Sequence, residues 1–147
     1  MTDEQKVSVS RVIDATPEQI FEVLTDPTKH PIIDGSGMVQ GENFGPDRLT
    51  EGAKFGMKMK WSGIPYRMTS TVQEFEENRL IAWSHFGKHR WRYELEPVEG
   101  GTKVTETFDW STSSSPKTIE LMGYPKKHPA NMEATLERLD EYLTSES

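Results

Sequence analysis

The sequence predicts an α+β fold: a curved antiparallel sheet wrapped around a long C-terminal helix, with two short helices after the first strand. Three observations predict it. Pro129 to Leu143 places Met132, Leu136, Leu139 and Leu143 on one stripe at helical spacing, with Glu137 and Glu141 opposite. Such a helix is about 22 Å long and marginal alone, so a wide apolar surface must cover the stripe. Between Phe55 and Trp110 apolar and polar residues alternate with period two, interrupted at regular intervals by turn residues. A helix start, Thr16-Pro17-Glu18-Gln19, follows directly on an initial strand-like run.

The elements follow in order. Lys6 to Ile13 reads as a strand. Thr16 is the expected N-cap, Pro17 the first helical residue and Gln19 the partner that completes a capping box. Ile20, Phe21 and Leu24 supply the helix's buried side until Asp26-Pro27 stops it, and a second short turn runs to about Pro31. His30 to Val39 is expected to be a loop leading into a short strand, and Glu42 to Gly52 a further loop. Phe55, Met57, Met59 and Trp61 alternate with Gly56, Lys58, Lys60 and Ser62 in the cleanest strand pattern of the chain. Gly63 and Pro65 turn it. Tyr66, Met68, Ser70 and Val72 then share a face, and the parity break at Phe75 predicts a bulge or a strand end. Glu77-Asn78-Arg79 turns into Leu80 to Phe86, whose two apolar faces leave Trp83 and His85 unassigned to inside or outside. After Gly87-Lys88, His89, Trp91, Tyr93 and Leu95 alternate with Arg90, Arg92, Glu94 and Glu96. Pro97 closes that strand, Glu99-Gly100-Gly101 turns, and Lys103 to Trp110 ends the meander. Ser113 to Pro116 introduces a helical piece, Lys117 to Met122, broken by Gly123-Tyr124-Pro125 before the final helix, with Pro129 at its first position.

Composition narrows the function. At 147 residues one domain, 1–147, is expected. The chain has no cysteine, which excludes disulfides and thiolate metal sites. No apolar run has the length of a membrane span and no signal-peptide core is visible, so a cytoplasmic protein is expected. A net charge of −7 argues against a nucleic-acid partner. His30, His85, His89 and His128 lack metal-ligand spacing, and no metal or other cofactor is expected. Asp34-Gly35-Ser36-Gly37 lacks the ending of a phosphate loop, and Ser36 beside Asp34 reads as turn chemistry rather than part of a catalytic triad. Lys54, Lys58 and Lys60 read as a solvated strand face that also guards against edge pairing.

If strand parity holds, Met57, Met59, Trp61, Tyr66, Met68, Trp91, Tyr93, Phe108 and Trp110 face the helix, opposite Met132 and Leu136. Any one of them would be ordinary core. Together they exceed what one helical stripe covers, which points to a pocket of a few hundred Å³ for an apolar or aromatic small molecule. Glu106 shares parity with Val104, Phe108 and Trp110 and should face inward. A buried carboxyl stays protonated or finds a partner. His85, or Arg67, Arg90 and Arg92 if a bulge shifts parity, are the candidate partners. Glu106, with His85 beside it, would then anchor a ligand's polar end or act as a general acid/base; a structural ion pair or a position at the wet end of the sheet is the alternative.

The element order, with Ala15 to Pro27 (A-T-P-E-Q-I-F-E-V-L-T-D-P), Asp34 to Val39, Trp91 to Glu106 and the terminal T-L-E-R-L-D-E-Y-L, resembles the SRPBCC superfamily, which includes START, Bet v 1 and polyketide cyclase/dehydrase-like proteins. The resemblance spans nearly the whole chain. It implies the helix-grip fold and a hydrophobic cavity between the concave sheet and the long helix; it carries no catalytic motif. Three functions follow as expectations: a binder of a polyketide- or lipid-like compound, a cyclase or dehydratase using Glu106, and an interaction module like the Hsp90-activator relatives of this fold.

Overall fold

The computed structural model describes residues 6–34, 39–61, 63–84, 89–111 and 124–144. Strand β1 (Lys6–Ile13) leads into α1 (Pro17–Leu24), a 3-10 turn (Pro27–Lys29) and α2 (His30–Ile33). Six strands follow: β2 (Val39–Phe44), β3 (Lys54–Trp61), β4 (Ile64–Glu76), β5 (Leu80–Ser84), β6 (Arg90–Val98) and β7 (Gly101–Asp109). The chain ends in α3 (Tyr124–Thr144). The seven strands form one sheet in the order β1-β7-β6-β5-β4-β3-β2, antiparallel throughout. The meander thus closes by laying its last strand beside the first. Helix α3 packs on β1 and β7 and touches α1 and α2. This is the α+β helix-grip arrangement.

Local chemistry explains the frame. Thr16 Oγ1 accepts the Gln19 N–H at 3.1 Å, and the Gln19 side chain accepts the Thr16 N–H at 2.9 Å, so α1 begins in the expected capping box. Ile20, Phe21, Val23 and Leu24 are all buried along its inner side. The register of β4 on β5 slips between Val72 and Glu74. That bulge places buried Val72 and then Phe75 on the core side and turns Glu74 outward, as the parity break requires. Gly101, at φ 142°, passes so close to β1 that a Cβ there would meet the Ile13 carbonyl oxygen at 2.0 Å. Only glycine allows that approach.

Several boundaries differ from expectation: α2 runs to Ile33 where the turn was expected to end near Pro31, β4 includes Pro65 and β6 continues through Pro97 to Val98. β2 takes Glu42 to Phe44 out of the expected loop; two register shifts against β3 accommodate its irregular sequence at the sheet edge. α3 starts at Tyr124, not Pro129, and Pro129 lies inside the helix. Pro125 takes the first-turn place, where the absent N–H costs nothing; Pro129 sacrifices one intrahelical bond near the start. The anticipated Lys117–Met122 helical piece, Ser36 and the Gly87-Lys88 turn lie outside the described residues.

Candidate functional site

The inner face of the sheet carries two apolar clusters. The larger contains Phe55, Met57, Val72, Ile81, Trp83, Tyr93, Leu95 and Val104, with Leu136 and Leu139 of α3 against them. The smaller contains Phe108, Trp110 and Met132, with Val7, Val9 and Trp91 alongside. Along β7 the alternation reads Val104, Glu106, Phe108, and along α3 it reads Leu139, Leu136, Met132. The carboxyl of Glu106 therefore sits where the apolar interior divides. It is 3% exposed, and its Oε1 has no hydrogen-bond partner among the described residues.

Cross-strand register supplies Glu106 with a neighbour: Tyr93 on β6 lies directly opposite, and Val9 on β1 flanks the other side. Burial pushes the Glu106 pKa up to about 8; the neighbouring Tyr93 hydroxyl pulls against that rise, and the Asp34 charge adds to it. Burial, and then the Glu106 carboxyl, raises the Tyr93 pKa well above its ordinary value. At neutral pH both groups are predominantly protonated. The arrangement can donate or accept a hydrogen bond inside an apolar space, and Glu106 can exchange a proton near neutrality.

The arginines considered as partners for Glu106 lie elsewhere. Arg90 reaches Glu74 at 2.6 Å, and Arg92 reaches Glu74 at 2.8 Å and Asp109 at 3.2 Å, all on the opposite face of the sheet from Tyr93. Arg67 is exposed. Parity on β6 is unbroken, so its arginines point away from α3. These two ion pairs lower the Glu74 pKa, Arg92 contributing more than Arg90. Tyr93, chosen from the sequence only as apolar lining, is instead the residue that lies opposite Glu106. Register, not composition, identifies it.

The remaining expected lining residues divide by depth. Met57, Tyr93, Phe108, Trp110, Met132 and Leu136 are buried. Met59 and Trp91 are half-buried against the core, and Tyr66 and Met68 are half-buried toward the far end of β4. The side chain of Trp61 and the whole of His85 lie outside the described residues. Trp83, left open by its strand's two apolar faces, points inward. It stacks on His30 at 5.0 Å and meets Phe55 edge-on at 5.6 Å. His30 is the other contribution that spacing did not anticipate. Its Nε2–H donates to the Leu24 carbonyl at 2.9 Å, and burial lowers its pKa, so it packs as a neutral ring. On the smaller cluster, Trp91 lies 4.7 Å from Phe108, and His89 meets Phe108 edge-on at 5.2 Å with its pKa also lowered by burial.

A separate open groove of about 700 Å³ runs between α1 and the end of α3. Asp14, Glu22, Asp26, Lys29 and Tyr142 line it, and it does not include Glu106.

Residues 4–144 match the family model described as polyketide cyclase / dehydrase and lipid transport. The uncharacterized protein Rv0088 of Mycobacterium tuberculosis is 41% identical over 143 residues, covering 93% of this chain. The chain spans 64% of that relative's length. Among solved structures, a protein from Rhodobacter sphaeroides superposes with a TM-score of 0.77 at 22% identity, covering 97% of this chain and 94% of that one. An AHSA1-like protein from Aeromonas hydrophila superposes with a TM-score of 0.66 at 19% identity, covering 95% and 92%. At such identities these structural likenesses establish the fold alone.

Proposed function

We propose, from the premise that the chain belongs to the polyketide cyclase / dehydrase and lipid transport family, that it binds an apolar or aromatic small molecule between the sheet and α3. One observation carries the reading: a carboxyl in the middle of the inner face, buried among aromatic side chains, with one oxygen unengaged. A core built only for stability gains nothing from such a group, because an unmet polar atom in an apolar interior costs about 1–3 kcal/mol. A ligand with a hydrogen-bonding end would satisfy it. Met57, Trp91, Tyr93, Phe108 and Trp110 would line the apolar part, Met132 and Leu136 would close it from the helix, and Met59, Trp61, Tyr66 and Met68 would extend it along β3 and β4. A polyketide- or lipid-like compound has the required character.

Titrating the protein with a panel of such compounds while following tryptophan emission tests this. Saturable quenching is expected, since Trp83, Trp91 and Trp110 all belong to the inner face. Unchanged emission across the panel would contradict it.

A second reading, a cyclase or dehydratase, is favoured by the proton-exchange range of Glu106. Replacing Glu106 with Gln distinguishes the two. Binding retained with turnover lost supports catalysis, whereas turnover unaffected removes Glu106 from it.

A further inference from the structure

On β3, Phe55 and Met57 are buried, and Lys54, Lys58 and Lys60 are exposed on the other side of the strand. On β4, Ser70 and Val72 are buried, and Arg67 and Thr69 are exposed. Pairing sets Lys58 directly opposite Arg67, Lys60 opposite Pro65 and Lys54 opposite Thr71. These four bases share the outer side of a ribbon about 20 Å long. Among the described residues none of them forms an ion pair. Like charges set directly opposite each other destabilise a sheet. Guarding a free edge does not account for the lysines either, because β2 pairs with β3 and itself takes the edge. The turn that joins the two strands carries Gly63, at φ 81°, and then Ile64, which is 63% exposed. Glu76 and Glu94 sit toward the other end of β4 and β6, and Glu74 is held by Arg90 and Arg92. The whole chain carries −7, so this local excess of positive charge orients the molecule with the ribbon toward an anionic surface.

From this juxtaposition of a cationic strand face and an exposed apolar tip, we infer that the β3–β4 ribbon docks the protein on an anionic lipid bilayer. Lys54, Lys58, Lys60 and Arg67 lie against the headgroups, and Ile64 enters the interface. A bilayer offers negative charge and an apolar layer beneath it, which matches both halves of the patch. A nucleic acid or a purely acidic polypeptide offers the charge without that layer. Each base brought near an anionic bilayer strengthens binding about fivefold, and the lipid charge relieves the Lys58–Arg67 repulsion. The docking face is on the opposite side of the sheet from Glu106, so it stands independently of what the interior binds.

Cosedimentation of the full chain with vesicles tests this, using phosphatidylcholine alone and phosphatidylcholine with phosphatidylserine. Binding to the mixed vesicles, weakened by added salt, and none to the neutral ones is expected. Lys58→Gln combined with Arg67→Gln should lower the affinity about 25-fold without lowering Tm, since the change removes a like-charge pair. Ile64→Ser should lower it about tenfold. Lys103→Gln, an exposed base on β7 outside the ribbon, should leave it unchanged. Equal binding to both kinds of vesicle, binding to neither, or a loss in Lys103→Gln as large as in the double variant would overturn the inference. Binding to soluble polyglutamate in place of the mixed vesicles, lost in the double variant, would overturn it in favour of an acidic protein partner.

Discussion

Glu106 is kept protonated by its surroundings, and that has a measurable sign. Its folded-state pKa of about 8 lies above the ordinary carboxyl value of 4.5, so between these values the folded protein holds a proton that the unfolded chain has released. The contribution of this group to stability is therefore complete below about pH 4.5 and declines as pH rises toward 8. Thermal unfolding of Glu106→Gln should lack this decline and exceed the native protein in Tm near pH 8; parallel profiles for the two would contradict it. His30 has the opposite sign. Its depressed pKa means the unfolded chain takes up the proton first, so the stability it contributes is present above its ordinary value of 6.5 and is lost as pH falls below it. His30→Ala removes a ring packed on Trp83 and Phe55 and leaves the Leu24 carbonyl unpaired. A loss of about 2–4 kcal/mol in denaturant unfolding is expected.

At the scale of the element, helix α1 depends on its reciprocal cap, and Thr16→Ala should cost about 1 kcal/mol by chemical denaturation. Gly101→Ala should cost more, because the new methyl group meets backbone at the end of β1 and has no flexible neighbour to displace. The capped helix, the bulge before Phe75 and the turn at Glu99-Gly100-Gly101 were legible in the sequence, because short-range chemistry fixes each of them. The start of α3 was not. Pro129 has the correct local signature for a first position, but so does Pro125, and the helix begins at Tyr124. β2 was similarly hidden: Glu42 to Phe44 has no strand alternation of its own and is held by pairing with β3.

For the molecule as a whole, period-two parity turns Met57, Tyr93, Glu106, Phe108 and Trp110 inward, and all five are buried; a one-residue slip would expose the entire set. What parity lacks is partnership across strands. The Tyr93–Glu106 pair, the inward turn of Trp83 and the His30 stack depend on which strands neighbour each other and on α2 folding over them. These relations exist only once the sheet is assembled. The same assembly puts Glu106 inside and turns Arg90 and Arg92 outward to Glu74. The division of the interior into two apolar clusters at one carboxyl is the feature a ligand would complete. The most direct test is energy transfer from tryptophan to a neutral naphthyl ketone probe whose emission shifts blue in apolar surroundings. The account predicts blue-shifted emission, excited through tryptophan, that saturates at one probe per chain. Emission that stays at its value in water, or rises without saturating, would contradict it.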